Sequence, residues 1–144
     1  MSFSPDDYRI HDAAQLLTPA LILYPDFIDH NITVTLDALN GDANRWRPHV
    51  KTVKLESVMR RYVERGILQC KCSITAELEA ACRAGMQDVL LAYPVTGANA
   101  RRVLEIADQH PNVRISVLIE TLAQARQWAG SRIGIFLDLN SGMI

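Results

Sequence analysis

Basic or titratable side chains recur at every second position in Arg47-Pro48-His49-Val50-Lys51-Thr52. On a β-strand side chains alternate between faces, so Arg47, His49 and Lys51 share one face and Pro48, Val50 and Thr52 the other. Three such groups on one face call for an anionic partner. A lysine in a desolvated pocket is a nucleophile suited to forming a Schiff base with a carbonyl compound. The chain holds three lysines, Lys51, Lys54 and Lys71, against twelve arginines, which singles out Lys51 at the end of its strand. Lys54 opens the following helix and reads as a solvated side chain.

The strand over 46–51 sits within a regular alternation. Residues 1–17 form a polar arm without a clear period. Thr18-Pro19 opens a short apolar strand, Ala20 to Tyr24. Pro25-Asp26 then starts a helix whose apolar stripe is given by Ile28, Ile32, Thr35, Leu36 and Leu39, ended by Gly41-Asp42. After strand 46–51, Leu55, Val58, Met59, Tyr62 and Val63 mark one face of a helix over 55–65, with Gly66 as its cap. Strand 67–72, helix Thr75 to Ala84, strand 88–93, helix 98–109, strand 113–119, helix 121–129 and strand 133–139 follow. Glu77 and Glu79 lie in the first turns of the 75–84 helix, where negative charge complements the helix dipole.

Strands alternating with helices predict a parallel sheet, either doubly wound or closed as a barrel. No Gly-x-Gly-x-x-Gly follows any strand, which argues against the doubly wound dinucleotide-binding form. A (β/α)8 barrel takes about 250 residues. The expectation is therefore a partial (β/α)8 (TIM-type) barrel of about five βα units, preceded by an N-terminal strand and helix.

Composition narrows the function classes. A formal net charge of −1 argues against nucleic acid or an anionic membrane surface as partner. No apolar run reaches the length of a membrane span, and the first residues lack a secretory pattern, so a cytoplasmic protein is expected. Cys70, Cys72 and Cys82 do not have zinc-ligand spacing and read as reduced packing residues, and no metal ligands are assigned.

With this layout, the motifs resemble the fold-type III pyridoxal phosphate enzymes, the alanine racemase-like barrel family. The nearest branch is that of D-threonine aldolase and D-serine dehydratase. Arg47-Pro48-His49-Val50-Lys51-Thr52 is similar to that branch's Schiff-base strand and is the specific match. Thr18-Pro19-Ala20-Leu21, Asn31-Ile32, Thr75-Ala76-Glu77-Leu78-Glu79-Ala80, Ala84-Gly85-Met86-Gln87-Asp88-Val89-Leu90-Leu91 and Asp138-Leu139-Asn140-Ser141-Gly142-Met143 support it in order. The resemblance makes residues 18–144 the N-terminal part of the cofactor-binding barrel, without the remaining barrel and the C-terminal β-domain.

The resemblance implies pyridoxal 5'-phosphate as cofactor and Lys51 as its Schiff-base lysine. His49, Arg47 and Tyr93 are the further candidates for lining the cofactor, although Arg47 also suits a structural ion pair. Asp138 and Asn140 alternate on the last strand, point to one face and are candidate pocket residues. The implied function is an aldolase or lyase acting on small D-amino acids, inactive as a 144-residue chain, with a divalent metal only in the full-length protein. A homodimer is the implied assembly. The competing functions are those of an amino-acid racemase, a D-serine dehydratase and a non-catalytic pyridoxal phosphate carrier. Leu55 stands where the racemase branch has a tyrosine four residues after the lysine, which weakens the first of these.

Overall fold

Short aliphatic runs separated by helix-length segments build a parallel sheet in this chain. The computed structural model describes residues 4–142, which divide into two units, residues 4–41 and residues 42–142.

The first unit contains two 3-10 turns, Pro5–Tyr8 and Ala13–Gln15, and helix α1, Pro25–Ala38. Residues 4–17, expected as an arm, fall in the same unit as α1. Proline at the first helical position suits α1, since the missing N–H would have no partner within the helix. Tyr8, Tyr24 and Phe27 form a ring cluster with centroids 4.7–5.4 Å apart. The Tyr24 hydroxyl donates to the Tyr8 carbonyl at 3.0 Å. The strand expected over Ala20 to Tyr24 does not form, and Leu21 is 75% exposed there. The regular elements of this unit are helical, so an extended segment has no ladder to join.

The second unit carries helix α2 (Glu56–Glu64), β1 (Gln69–Cys72), α3 (Thr75–Ala84), β2 (Asp88–Leu91), α4 (Gly97–Gln109), β3 (Arg114–Ile119), α5 (Leu122–Gln127) and β4 (Gly134–Leu137). The four strands are parallel and ordered β1-β2-β3-β4. Helix α3 ends at Gly85, whose φ of +98° needs no Cβ to be accommodated, and the Met86 N–H then reaches the Ala81 carbonyl at 3.1 Å.

One face of the sheet supplies Cys70, Cys72, Val89, Leu91, Ile115 and Val117 to the core. Met59, Leu78, Ala81, Val103, Ile106 and Trp128 come to that core from the helical layer. Consecutive parallel strands joined by right-handed crossovers put every helix on the same side, which explains this one-sided core. Among the described residues, no helix is long and apolar enough to cross a membrane.

The expected strand over 46–51 is reduced to a single bridge, His49 with Lys71. Two rungs are missing for identifiable reasons. A parallel ladder continued toward Arg47 would need a donor at Pro48, which has no N–H. Continued toward Lys51, it would need the Ser73 N–H to reach the Val50 carbonyl. Ser73 donates instead to Glu77 Oε2 at 2.8 Å, and the Val50 carbonyl accepts from Lys54 at 2.9 Å. The chain therefore turns after His49, and Lys51 lies in the turn rather than on a strand.

Close approach of β3 and β4 fixes one further position. A Cβ at Gly134 would sit 2.5 Å from Ser116 Oγ, and Ser116 is fully buried. Gly134→Ala is expected to destabilise the chain by about 1–3 kcal/mol, as overpacking of a tight site does, read as a lowered urea midpoint at unchanged slope.

Candidate active site

The parallel strands end at one rim, where the turns β1–α3, β2–α4 and β3–α5 begin. In α/β folds this is the edge at which loop residues from several strands converge. A cleft of about 430 Å³ lies there, lined by Ser73, Ile74, Thr75, Tyr93, Val95 and Asn99. A second, of about 630 Å³, is lined by Glu120, Asp138, Leu139, Asn140 and Ser141. Asp138 and Asn140 thus share a cleft, separate from that of Tyr93. Met143, at the end of the last motif, lies outside the described residues.

His49 links the Lys51 turn to the first cleft. Its Nε2 is 3.3 Å from Ser73 Oγ, and its Nδ1 accepts the Lys51 N–H at 3.3 Å. Burial, and then the charges of Lys71 and Lys51, hold this imidazole below its ordinary value of 6.5. The Lys71 carbonyl and the Glu77 carboxylate offset part of that effect. A neutral ring whose Nδ1 accepts must carry its proton on Nε2, which then donates to Ser73. His49 therefore acts as a strut between the two segments.

Lys51 is exposed, and its amine has no ion pair among the described residues. Lys54 differs, because its Nζ lies 3.2 Å from Glu77 Oε1. Lys71 is half-buried, and its register with His49 and Leu90 places it on the sheet face opposite the helices. Lys71 carries no assignment from the sequence. The available signal is its alternation with Cys70 and Cys72, which assigns the thiols to the core and the amine to the other face.

Arg47 is held at the other end of the strands. Its guanidinium binds both Asp88 carboxylate oxygens at 3.0 and 2.9 Å, the Cys70 carbonyl at 3.1 Å and Gln69 Oε1 at 3.1 Å. Gln69 and Asp88 are the first residues of β1 and β2, so Arg47 braces the edge opposite to Lys51. The structure brings together Lys51, His49 and Ser73, places Tyr93 across the same cleft from Ser73, and leaves Arg47 apart. The three cysteines are buried, with burial pushing Cys70 to about 12 and Cys82 to about 11, and Cys72 upward as well. Thiols held so far above neutral pH are poor nucleophiles.

Comparison with known proteins adds to this geometry. No protein-family model matches the chain. Over 138 residues, 91% of this chain, it is 30% identical to 3-hydroxy-D-aspartate aldolase of Paracoccus denitrificans, including strain Pd 1222, and that match covers 35% of the relative. A crystal structure of D-threonine aldolase from Filomicrobium marinum superposes with a TM-score of 0.74 at 26% identity, over 90% of this chain and 36% of the other. The chain resembles the D-amino-acid aldolases among the fold-type III pyridoxal phosphate enzymes. It spans about a third of the length of these relatives. The α/β architecture with a parallel sheet agrees with that likeness.

The bracing role of Arg47 is open to test. Arg47→Met leaves the partly buried Asp88 carboxylate without its partner and is expected to cost about 1–3 kcal/mol of stability in chemical denaturation. Binding of pyridoxal phosphate by the folded fraction should stay unchanged.

Proposed function

We propose that this chain is the cofactor-attachment part of a pyridoxal phosphate-dependent aldolase acting on a D-amino acid with a β-hydroxyl group, with Lys51 as the attachment lysine. The observation that carries the proposal is the rim cluster. Lys51 is exposed and without an ion pair among the described residues, its backbone is held by neutral His49, and His49 is held in turn by Ser73 beside a cleft. The likeness to two D-amino-acid aldolases supports the same reading.

The residues present fit the cofactor. An aldehyde needs a primary amine, a flat ring needs an apolar wall, and its phosphate and phenolate need hydrogen-bond donors. The cleft lining offers Ile74 and Val95 as the wall and Ser73, Thr75, Asn99 and Tyr93 as donors, and Lys51, on the turn joined to Ser73 through His49, would supply the amine. Bound pyridoxal phosphate supplies an electron sink for the charge left on the substrate's α carbon when its bond to the β carbon breaks.

The chain's own groups have distinct tasks. Lys51 offers a primary amine that no carboxylate among the described residues engages. His49 orients the Lys51 backbone and is not the base, because its Nδ1 lone pair is already engaged. We read the one-sided helical layer and sequential strand order as part of a (β/α)8 barrel, whose interior face would carry Lys71, Leu90 and Ser116. Turnover on this reading requires the remaining two thirds of the relatives' length.

Incubation with pyridoxal phosphate, borohydride reduction and peptide mapping test the assignment. The expected result is one label per chain on Lys51, with Lys54 and Lys71 unmodified. A label on Lys71 alone, or equal labelling of the three lysines, would overturn it.

A further inference from the structure

Among the described residues, Glu77 is the buried charged side chain, at 3% exposure. A carboxylate removed from water needs both a counter-charge and hydrogen bonds. Glu77 has each. Oε2 accepts the Ser73 N–H at 2.8 Å, and Oε1 lies 3.2 Å from the Lys54 ammonium. Its position in the first turn of α3 is favourable for an anion, but an exposed carboxylate would serve the dipole equally well.

The two partners belong to one loop problem. Lys54 has a φ of +53°, a conformation that costs a residue bearing a Cβ, and its N–H closes the turn on the Val50 carbonyl at 2.9 Å. The ion pair opposes that cost. By taking the Ser73 N–H, Glu77 also removes the donor that would otherwise pair with Val50 and draw Lys51 into the sheet. One carboxylate therefore holds the turn from both sides.

We infer that Glu77 is the positioning residue for Lys51. It keeps the segment after His49 as a turn and occupies Lys54, so that Lys51 is the amine presented at the rim. The turn stands on geometry alone, and its chemical meaning rests on the proposed role of Lys51.

Acylation of the full 144-residue chain by limiting acetic anhydride, without cofactor, reads the amines directly. Lys54 is expected to react about threefold more slowly than Lys51, the effect of a part-exposed ion pair. In Glu77→Gln, which keeps an acceptor for Ser73 and removes the charge, Lys54 should reach the rate of Lys51 while Lys71 is unchanged. After pyridoxal phosphate and borohydride, the variant's label should then divide between Lys51 and Lys54. Lys54→Gln alters an exposed side chain and guards against loss of folding in the first variant. Its amide at position 54 should exchange hydrogen about tenfold faster than in the parent, as a loosened turn does. Equal rates for Lys51 and Lys54 in the parent, or unchanged exchange in Lys54→Gln, would overturn the inference. A parent chain that labels away from Lys51 would instead overturn the proposed function and leave the acylation result standing.

Discussion

The segment that carries Lys51 is joined to the sheet by one backbone rung, between His49 and Lys71. The whole arrangement at the rim depends on the shortness of that pairing. Proline at position 48 ends it on one side by lacking an N–H, and Glu77 ends it on the other by capturing the Ser73 N–H. A longer strand would satisfy more backbone groups and would fix Lys51 in a regular pleat. The chain instead supplies side-chain partners for the freed groups: His49 for the Lys51 amide and Glu77 for the Ser73 amide. Hydrogen bonding stays satisfied while the backbone is released from the ladder.

The two faces of the sheet divide the work. Cys70, Val89 and Ile115 face the helices and make a dry core in which thiols are held protonated. The opposite face begins with the row Gln69, Asp88 and Arg114, in which Arg47 binds Gln69 and forms a bidentate ion pair with Asp88, and continues with Lys71, Leu90 and Ser116. An arginine–carboxylate fork is both directional and hard to replace with a lysine. It braces the strand entrance, and the Lys51 turn and clefts occupy the exit. The Arg47–Asp88 pair and the proposed chemical amine are thus kept at opposite ends of the same strands.

Much of this is legible in residue spacing. The helix expected over 75–84 matches α3 because Thr75, Gly85 and the intervening stripe are local signals, and those signals survive tertiary packing. The parallel order follows from alternation of element types. At 46–51 spacing misleads, because period two in Arg47, His49 and Lys51 is also compatible with one bridge followed by a turn. The deciding groups, Ser73 and Glu77, lie more than twenty residues away in sequence. In the sequence Glu77 is visible only as an acid at a helix start, and its reach to Lys54 depends on tertiary placement. The ion pair that Arg47 suits does form, but its partner Asp88 opens β2, with α2, β1 and α3 lying between them in the chain. The strand expected at 20–24 fails because apolar composition specifies burial and not a hydrogen-bonding neighbour.

The most direct measurement is a visible-absorption titration of the chain with pyridoxal phosphate at neutral pH, run beside Lys51→Ala and Lys71→Ala. The absorption band of amine-bound cofactor, saturating at one equivalent, is expected in the parent and in Lys71→Ala and is expected to be lost in Lys51→Ala. An undiminished band in Lys51→Ala would contradict the assignment of Lys51, because the amine at the turn would then not be the one that holds the cofactor.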